Sequence, residues 1–186
     1  MRRAIGSGVA RRNPIPARWL MTDERMGDAL WRALRRLPPG SGVVFRHYAT
    51  PERDRRVLLR RVIRIAQARR LVVVVAGKPV IAANGVHGRG KTHGIRTWPA
   101  HSRGEALAGK RAGAAALFVS PIHPTQSHDG TAGIGPARAM RIGRGLGGIP
   151  MIALGGMSEL RWRRIQRFGF HGWAAIDAWM PSTPSS

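Results

Sequence analysis

Between residues 118 and 130 the chain reads FVSPIHPTQSHDG. An apolar strand pattern runs into Pro121 and Pro124, and around them stand Ser120, His123, Thr125, Ser127 and His128. Proline fixes the backbone beyond the strand, while hydroxyls, imidazoles and loop amides can donate hydrogen bonds to anionic oxygens without adding bulk. The combination suits the grip of an anionic ligand. It equally suits a plain turn, because Ser, Thr and Pro are ordinary turn residues. Gly155 and Gly156 follow another apolar run, PMIAL (150–154). Without a Cβ they let a phosphate approach bare backbone, although a strand-to-helix turn would ask for the same pair. His87 and His101 stand at the ends of apolar stretches, where hydrogen-bonded structural imidazoles are the ordinary case.

These residues need a frame, and the composition bounds it. The 186 residues fit one domain with a substantial core, and a hydrophobic content of 43% is that of a globular protein. With no cysteine there is neither a disulfide nor a thiolate metal site. No apolar run approaches the roughly 18 residues that span a bilayer, and MRRAIGSGVARR lacks the apolar centre of a secretory signal. A cytoplasmic protein without a membrane partner is expected. The net charge is +23, and 29 of the 32 basic residues are arginine. Such a field attracts polyanions. The arginines are scattered along the chain, however, and enrichment in Arg, Ala and Gly together is what a GC-rich coding sequence produces. One tyrosine and four phenylalanines also make a poor base-stacking surface. Nucleic acid is therefore not expected as a partner.

The elements alternate. Residues 1–17 read as a flexible basic arm and 181–186 as a disordered tail, with 18–180 as the folded domain. Strands are predicted at 18–22, 43–48, 71–75, 86–87, 95–98, 115–120, 150–154 and 172–178. Helices are predicted at 28–37, 52–70, 103–113, 135–146 and 158–169. Within 52–70, Val57, Leu58, Val62, Ile65 and Ala66 recur at helical spacing. Pro51 falls where a first-turn proline is tolerated, with Thr50 a candidate cap. LVVVV (71–75) shows no alternation, the signature of a strand covered on both faces. Alternating β and α elements allow a doubly wound sheet or a (β/α)8 barrel. Eight units favour the barrel, although residues 76–94 leave almost no room for helices after strands three and four. The expected fold is a trimmed α/β (β/α)8 TIM barrel.

Residues 101–130, HSRGEALAGKRAGAAALFVSPIHPTQSHDG, resemble the thiamine phosphate synthase/TenI family, with its His-Ser/Thr strand end, Glu-Ala helix and Pro-x-x-Pro-Thr-x-Ser/Thr-Lys loop. IPMIALGGM (149–157) is similar to the family's Ile-Pro-Val-Ala-x-Gly-Gly-Ile, and GFHGWAAIDA (169–178) to its last strand. Upstream, RWLMTDE (18–24), VVFRHY (43–48) and NGVHGRG (84–90) resemble strands one, two and four. The resemblance implies a (β/α)8 barrel in thiamine biosynthesis. A synthase joins hydroxymethylpyrimidine diphosphate to thiazole phosphate and releases pyrophosphate, using magnesium; TenI-type relatives aromatise thiazole phosphate by proton transfer. Residue by residue, it implies that Arg46, Thr125, Ser127 and His128 hold the diphosphate. Gly155, Gly156 and the Ile176–Asp177 backbone would hold the thiazole phosphate. The implied partners are these phosphorylated heterocycles, and self-association is left open.

The departures are as specific as the matches. Where the family's second strand reads Gln-x-Arg-x-Lys, this chain has Val44, Arg46 and Tyr48. Strand three ends in Ala76 and Gly77 instead of Asn-Asp, and GRGKTHG (88–94) offers no acid. No protein metal ligand is therefore expected, and magnesium would enter only with the substrate diphosphate. Pro99 replaces a serine, His128 a lysine, and Asp177 a serine. The TenI-type general acid–base position holds Pro121, with His123 two residues on as the substitute. The candidate catalytic residues are thus Arg46, His123 and His128. The alternative to a synthase is a TenI-like or catalytically degenerate paralogue that binds thiazole or thiamine phosphate without turnover.

Overall fold

A β-barrel must fill its own axis, and here Trp19 does much of that work. It lies on the first strand, fully buried, with its ring 5.1 Å from that of Phe118 in an edge-on arrangement. The computed structural model describes residues 15–78, 80, 82–124 and 132–180. Eight strands run through it: β1 (Arg18–Met21), β2 (Gly42–Phe45), β3 (Val72–Ala76), β4 (Gly85–His87), β5 (Ile95–Ala100), β6 (Ala116–Val119), β7 (Met151–Leu154) and β8 (Gly172–Ala175). Each pairs in parallel with the next. β8 closes on β1 through Arg18↔Trp173, Trp19↔Ala174 and Leu20↔Ala175. The closure decides between the two architectures that the sequence pattern allows: the fold is a (β/α)8 barrel.

Five α-helices surround it: α1 (Ala29–Arg36), α2 (Glu52–Ala68), α3 (Arg103–Arg111), α4 (Pro136–Gly143) and α5 (Glu159–Ile165). Each buries one stripe. On α2 it is Leu59, Val62, Ile63 and Ala66. Two serines cap helix starts, Ser102 accepting from Glu105 N–H and Ser158 from Arg161 N–H. Pro51 is itself the N-cap of α2 and no side chain caps it, Thr50 included; Glu52 and Asp54 in its first turn suit the helix dipole.

No helix follows β3 or β4 among the described residues, as the short spacing predicts. Val80 and Ala83 pack against the core there instead. Asn84 replaces lost connections: its Oδ1 accepts from Val73 N–H at 2.8 Å, its N–H donates to Val73 O, and its carbonyl accepts from Ile95 N–H. β8 is followed by a single 3-10 turn, Asp177–Trp179. No described helix is long and apolar enough to cross a membrane.

Two predicted strands are too long at their C-terminal ends. β2 stops at Phe45 because His47 takes a left-handed φ of 34° and turns the chain out, leaving Tyr48 67% exposed. β8 gives way to the 3-10 turn after Ala175, so Ile176 and Asp177 lie on the rim. Residues 1–14, 79, 81, 125–131 and 181–186 fall outside the described residues, and with them the expected tail and most of the arm.

Facing residues in register share a side of a parallel sheet, and Trp19 stands opposite Gly42. A Cβ at Gly42 would lie 2.1 Å from Trp19 Cε3. A ring wedged inside a barrel cannot swing aside. Gly42→Ala is therefore expected to destabilise by about 2–3 kcal/mol and to lower Tm by roughly 5–10 °C. Thermal denaturation reads this directly, and an unchanged Tm would mean that the ring does not sit over residue 42.

Candidate functional site

The C-terminal ends of the strands form the face on which such barrels build their sites. A cavity of about 240 Å³ opens there, lined by ends of β1, β2 and β5–β8. Met21, Leu154, Met157, Ala175 and Ile176 give it an apolar wall. Arg46, His101, Ser120 and Asp177 supply polar groups, and Gly155, Gly156, Pro121 and Ala178 bare or nearly bare backbone. The mixture is that of a small-ligand site: apolar shape with a few convergent polar groups.

Arg46 brings a half-buried cation to this cavity. Its Nε donates to Thr22 O at 2.8 Å and its Nη2 to Asp23 Oδ2 at 3.2 Å. Burial pulls its pKa below the ordinary guanidinium value, with the Asp23 charge opposing; an arginine still keeps its proton at any physiological pH. Asp23 in turn is held below the ordinary carboxylate range, chiefly by the hydrogen bond from Arg25. Across the cavity, His101 Nδ1 lies 3.2 Å from both the carbonyl and the hydroxyl oxygen of Ser120. The Ser120–Pro121 peptide is cis.

Five of the residues expected to bind substrate meet in this cavity: Arg46, Gly155, Gly156, Ile176 and Asp177. Both glycines have positive φ, 96° and 58°. Their Cα faces are already covered: a Cβ would lie 2.9 Å from Pro121 Cα at Gly155 and 2.7 Å from Pro124 O at Gly156. The pair is thus required by packing of the β7 loop on the β6 loop, whatever it also presents to a ligand. His123 is not among the lining residues. It packs behind Gly156, and its buried Nε2 has no hydrogen-bond partner among the described residues. Burial first, then the Arg161 charge, lowers its pKa. Thr125, Ser127 and His128 lie outside the described residues. Ser120, one of the hydroxyls around Pro121, and His101, read as a structural imidazole, also line the cavity; their signal is position at the ends of β5 and β6.

A divalent ion at the rim would need oxygen ligands from the strand ends. At the end of β3, where the resemblance places an aspartate, the Ala76 carbonyl accepts from Arg55 Nη2 at 2.7 Å. Arg55 also binds the carbonyls of Arg46 and His47. A guanidinium thus sits where a carboxylate would be needed. Among the described residues no three His, Asp or Glu side chains gather into a metal-holding group. A hard ion wants several oxygen ligands, so this donor set does not fit a protein-held magnesium.

A family model described as thiamine monophosphate synthase matches residues 20–179. Thiamine phosphate pyrophosphorylase from Pyrococcus furiosus superposes with a TM-score of 0.72 at 21% identity, over 90% of this chain and 88% of that one. A thiamine phosphate pyrophosphorylase from Bacteroides thetaiotaomicron gives 0.54 at 18% identity, over 92% and 89%. A native KDPGal structure gives 0.60 at 10% identity, over 90% and 86%. At these identities the structures attest the fold. No curated protein matches the chain in sequence.

Below the cavity lies one more titratable group. His87 on β4 is 8% exposed, its Nδ1 2.8 Å from Thr97 Oγ1 and its ring edge-on to Phe118 at 5.2 Å. Burial, then the Arg46 charge, pushes its pKa down to about 4. The unfolded chain takes up this proton near pH 6.5, whereas the folded chain does not until about pH 4. The stability His87 confers is therefore fully present above pH 6.5 and is lost as pH falls towards 4, by roughly 3 kcal/mol. Urea denaturation at pH 7 and pH 4.5 should show most of this loss, and His87→Gln should flatten the dependence.

Proposed function

From the premise that the chain belongs to the thiamine monophosphate synthase family, we propose that its rim cavity joins hydroxymethylpyrimidine diphosphate to thiazole phosphate with release of pyrophosphate. The observation that carries this reading is Arg46: a half-buried guanidinium lining an otherwise largely apolar cavity at the C-terminal face of the barrel. In the proposed step the bond between the pyrimidine methylene carbon and the diphosphate oxygen breaks, and its electron pair leaves on the diphosphate. The thiazole nitrogen then donates its lone pair to that carbon, forming the C–N bond of a thiazolium. No proton needs to move. The chemistry instead needs charge stabilisation at the departing oxygen, which Arg46 supplies as a fixed cation in a low-dielectric site. Met21, Leu154, Met157 and Ile176 would keep water from the carbon centre. The Gly155–Gly156 and Ile176–Asp177 backbone would receive the thiazole phosphate.

A second reading has an observation in its favour. The guanidinium at the end of β3, in place of a carboxylate, suits a paralogue that binds the phosphorylated heterocycle without turning it over.

Incubation of the chain with both substrates, with magnesium and with a chelator, separates the two readings. Thiamine phosphate is expected as product, and Arg46→Met should lower its rate of formation by roughly 10²–10³-fold. Saturable binding of thiazole phosphate with no product under either condition would leave only the second reading.

A further inference from the structure

We infer that Thr22 and His47 form a positioning pair that aims Arg46 into the cavity. The inference rests on the reading of Arg46 as a diphosphate ligand. An arginine side chain is long and rotamer-rich, and fixing it costs up to about 2 kcal/mol. A binding site gains if the fold has already ordered it. Asp23 engages the far end of the guanidinium. The near end and the backbone are held by Thr22, which is fully buried at the end of β1.

Thr22 makes three contacts with the 46–47 segment. Its carbonyl accepts from Arg46 Nε at 2.8 Å, its hydroxyl oxygen accepts from Arg46 N–H at 3.1 Å, and the same oxygen lies 3.0 Å from His47 Nδ1. The hydroxyl accepts from the amide and keeps its own proton, which it can donate to Nδ1 in the tautomer that carries the ring proton on Nε2. His47 is held at two other points, one on its ring and one on its backbone. It stacks on Phe45 at 4.7 Å with the planes 8° apart, and Arg55 from α2 donates to the His47 carbonyl.

What makes this more than local tidiness is the backbone. His47 sits at φ 34°, a left-handed conformation that costs an ordinary residue about 1–2 kcal/mol. That turn follows Arg46 directly and ends β2 at Phe45. Buried hydrogen bonds that hold a strained conformation next to a candidate ligand residue are how a fold keeps such a residue aimed. Asn and Asp tolerate the same φ, whereas β-branched residues do not.

Isothermal titration with inorganic pyrophosphate tests the pair. Thr22→Val keeps the shape and removes the hydroxyl; affinity should fall roughly tenfold. Thr22→Ser restores the hydroxyl and should bind within about twofold of the parent, by the same argument. His47→Asn keeps an acceptor near Nδ1 and the positive φ, and should bind nearly normally, whereas His47→Val should lose about as much as Thr22→Val. Gly109→Ala serves as the control. Its Cβ would lie 2.8 Å from the Trp98 ring, and neither residue lines the cavity, so it should lower Tm with pyrophosphate affinity unchanged. If Thr22→Val lowers only Tm, or if Thr22→Ser fails to recover affinity, the positioning role is overturned. If Thr22→Val does not fold, the contrast between His47→Asn and His47→Val decides in its place. If Arg46→Met binds pyrophosphate as the parent does, or the parent does not bind it at all, the diphosphate reading itself falls and this inference with it.

Discussion

Strands of three to six residues close into a barrel only around a filled axis, and the filling here depends on one exchange of volume: the Trp19 indole occupies the space that a side chain at residue 42 would take. Phe118 meets that ring edge-on from β6, and His87 meets Phe118 from β4. Three aromatic rings from strands on different sides of the barrel thus make a plug. Their contacts are long-range in sequence, so they reward only the closed arrangement. The register that brings Trp19 opposite both Gly42 and Ala174 is the register in which the plug fits.

The cavity is what remains above the plug. Residues two further along each strand share its side of the sheet. Met21 therefore stands above Trp19, Arg46 above Val44, and Ser120 above Phe118. Helices α1 to α5 support the walls on the side of β1, β2 and β5–β7. On the side of β3 and β4 short connections suffice, because Asn84 takes over backbone hydrogen bonds on both flanks. The cavity follows this asymmetry: no residue of β3 or β4 lines it. The strand ends at which the resemblance places acids do not line it, and Arg55 ties the end of β3 to that of β2.

Much of this was legible in the sequence, for identifiable reasons. LVVVV, ALFV and PMIAL announce buried parallel strands because both faces must be apolar, and the gap at 76–94 announces missing helices because too few residues are present. Closure was not legible from periodicity: pairing of β8 with β1 joins residues more than 150 apart, and an open sheet has the same local pattern. The ends of β2 and β8 were misread because VVFRHY and GWAAIDA continue a strand-like composition through residues that tertiary hydrogen bonds and a positive φ turn away. Arg46 and the glycines came from ordered resemblance. Thr22 and His47 carried no signal at all, since a threonine at a strand end and a histidine in a turn mean nothing until β1 and β2 lie side by side. His123 is suggestive in its motif, and the fold packs it behind Gly156, where it is not among the described residues that line the cavity.

The charge of the chain belongs in this comparison. A net +23 would attract diphosphate from solution, but surface charge is screened over about 8 Å at physiological ionic strength and gives no address within the molecule. Arg46 is selected differently. It has lost much of its water and is partly neutralised by Asp23, so it attracts an anion less strongly than a bare cation at the same depth would. In exchange it is fixed: its Nε, its backbone amide and one Nη nitrogen are all engaged. A ligand that meets a fixed charge need not order it. Other arginines are ordered too, Arg55 by three carbonyls; Arg46 combines that ordering, set by a neighbouring strand and a strained turn, with a place in the cavity wall.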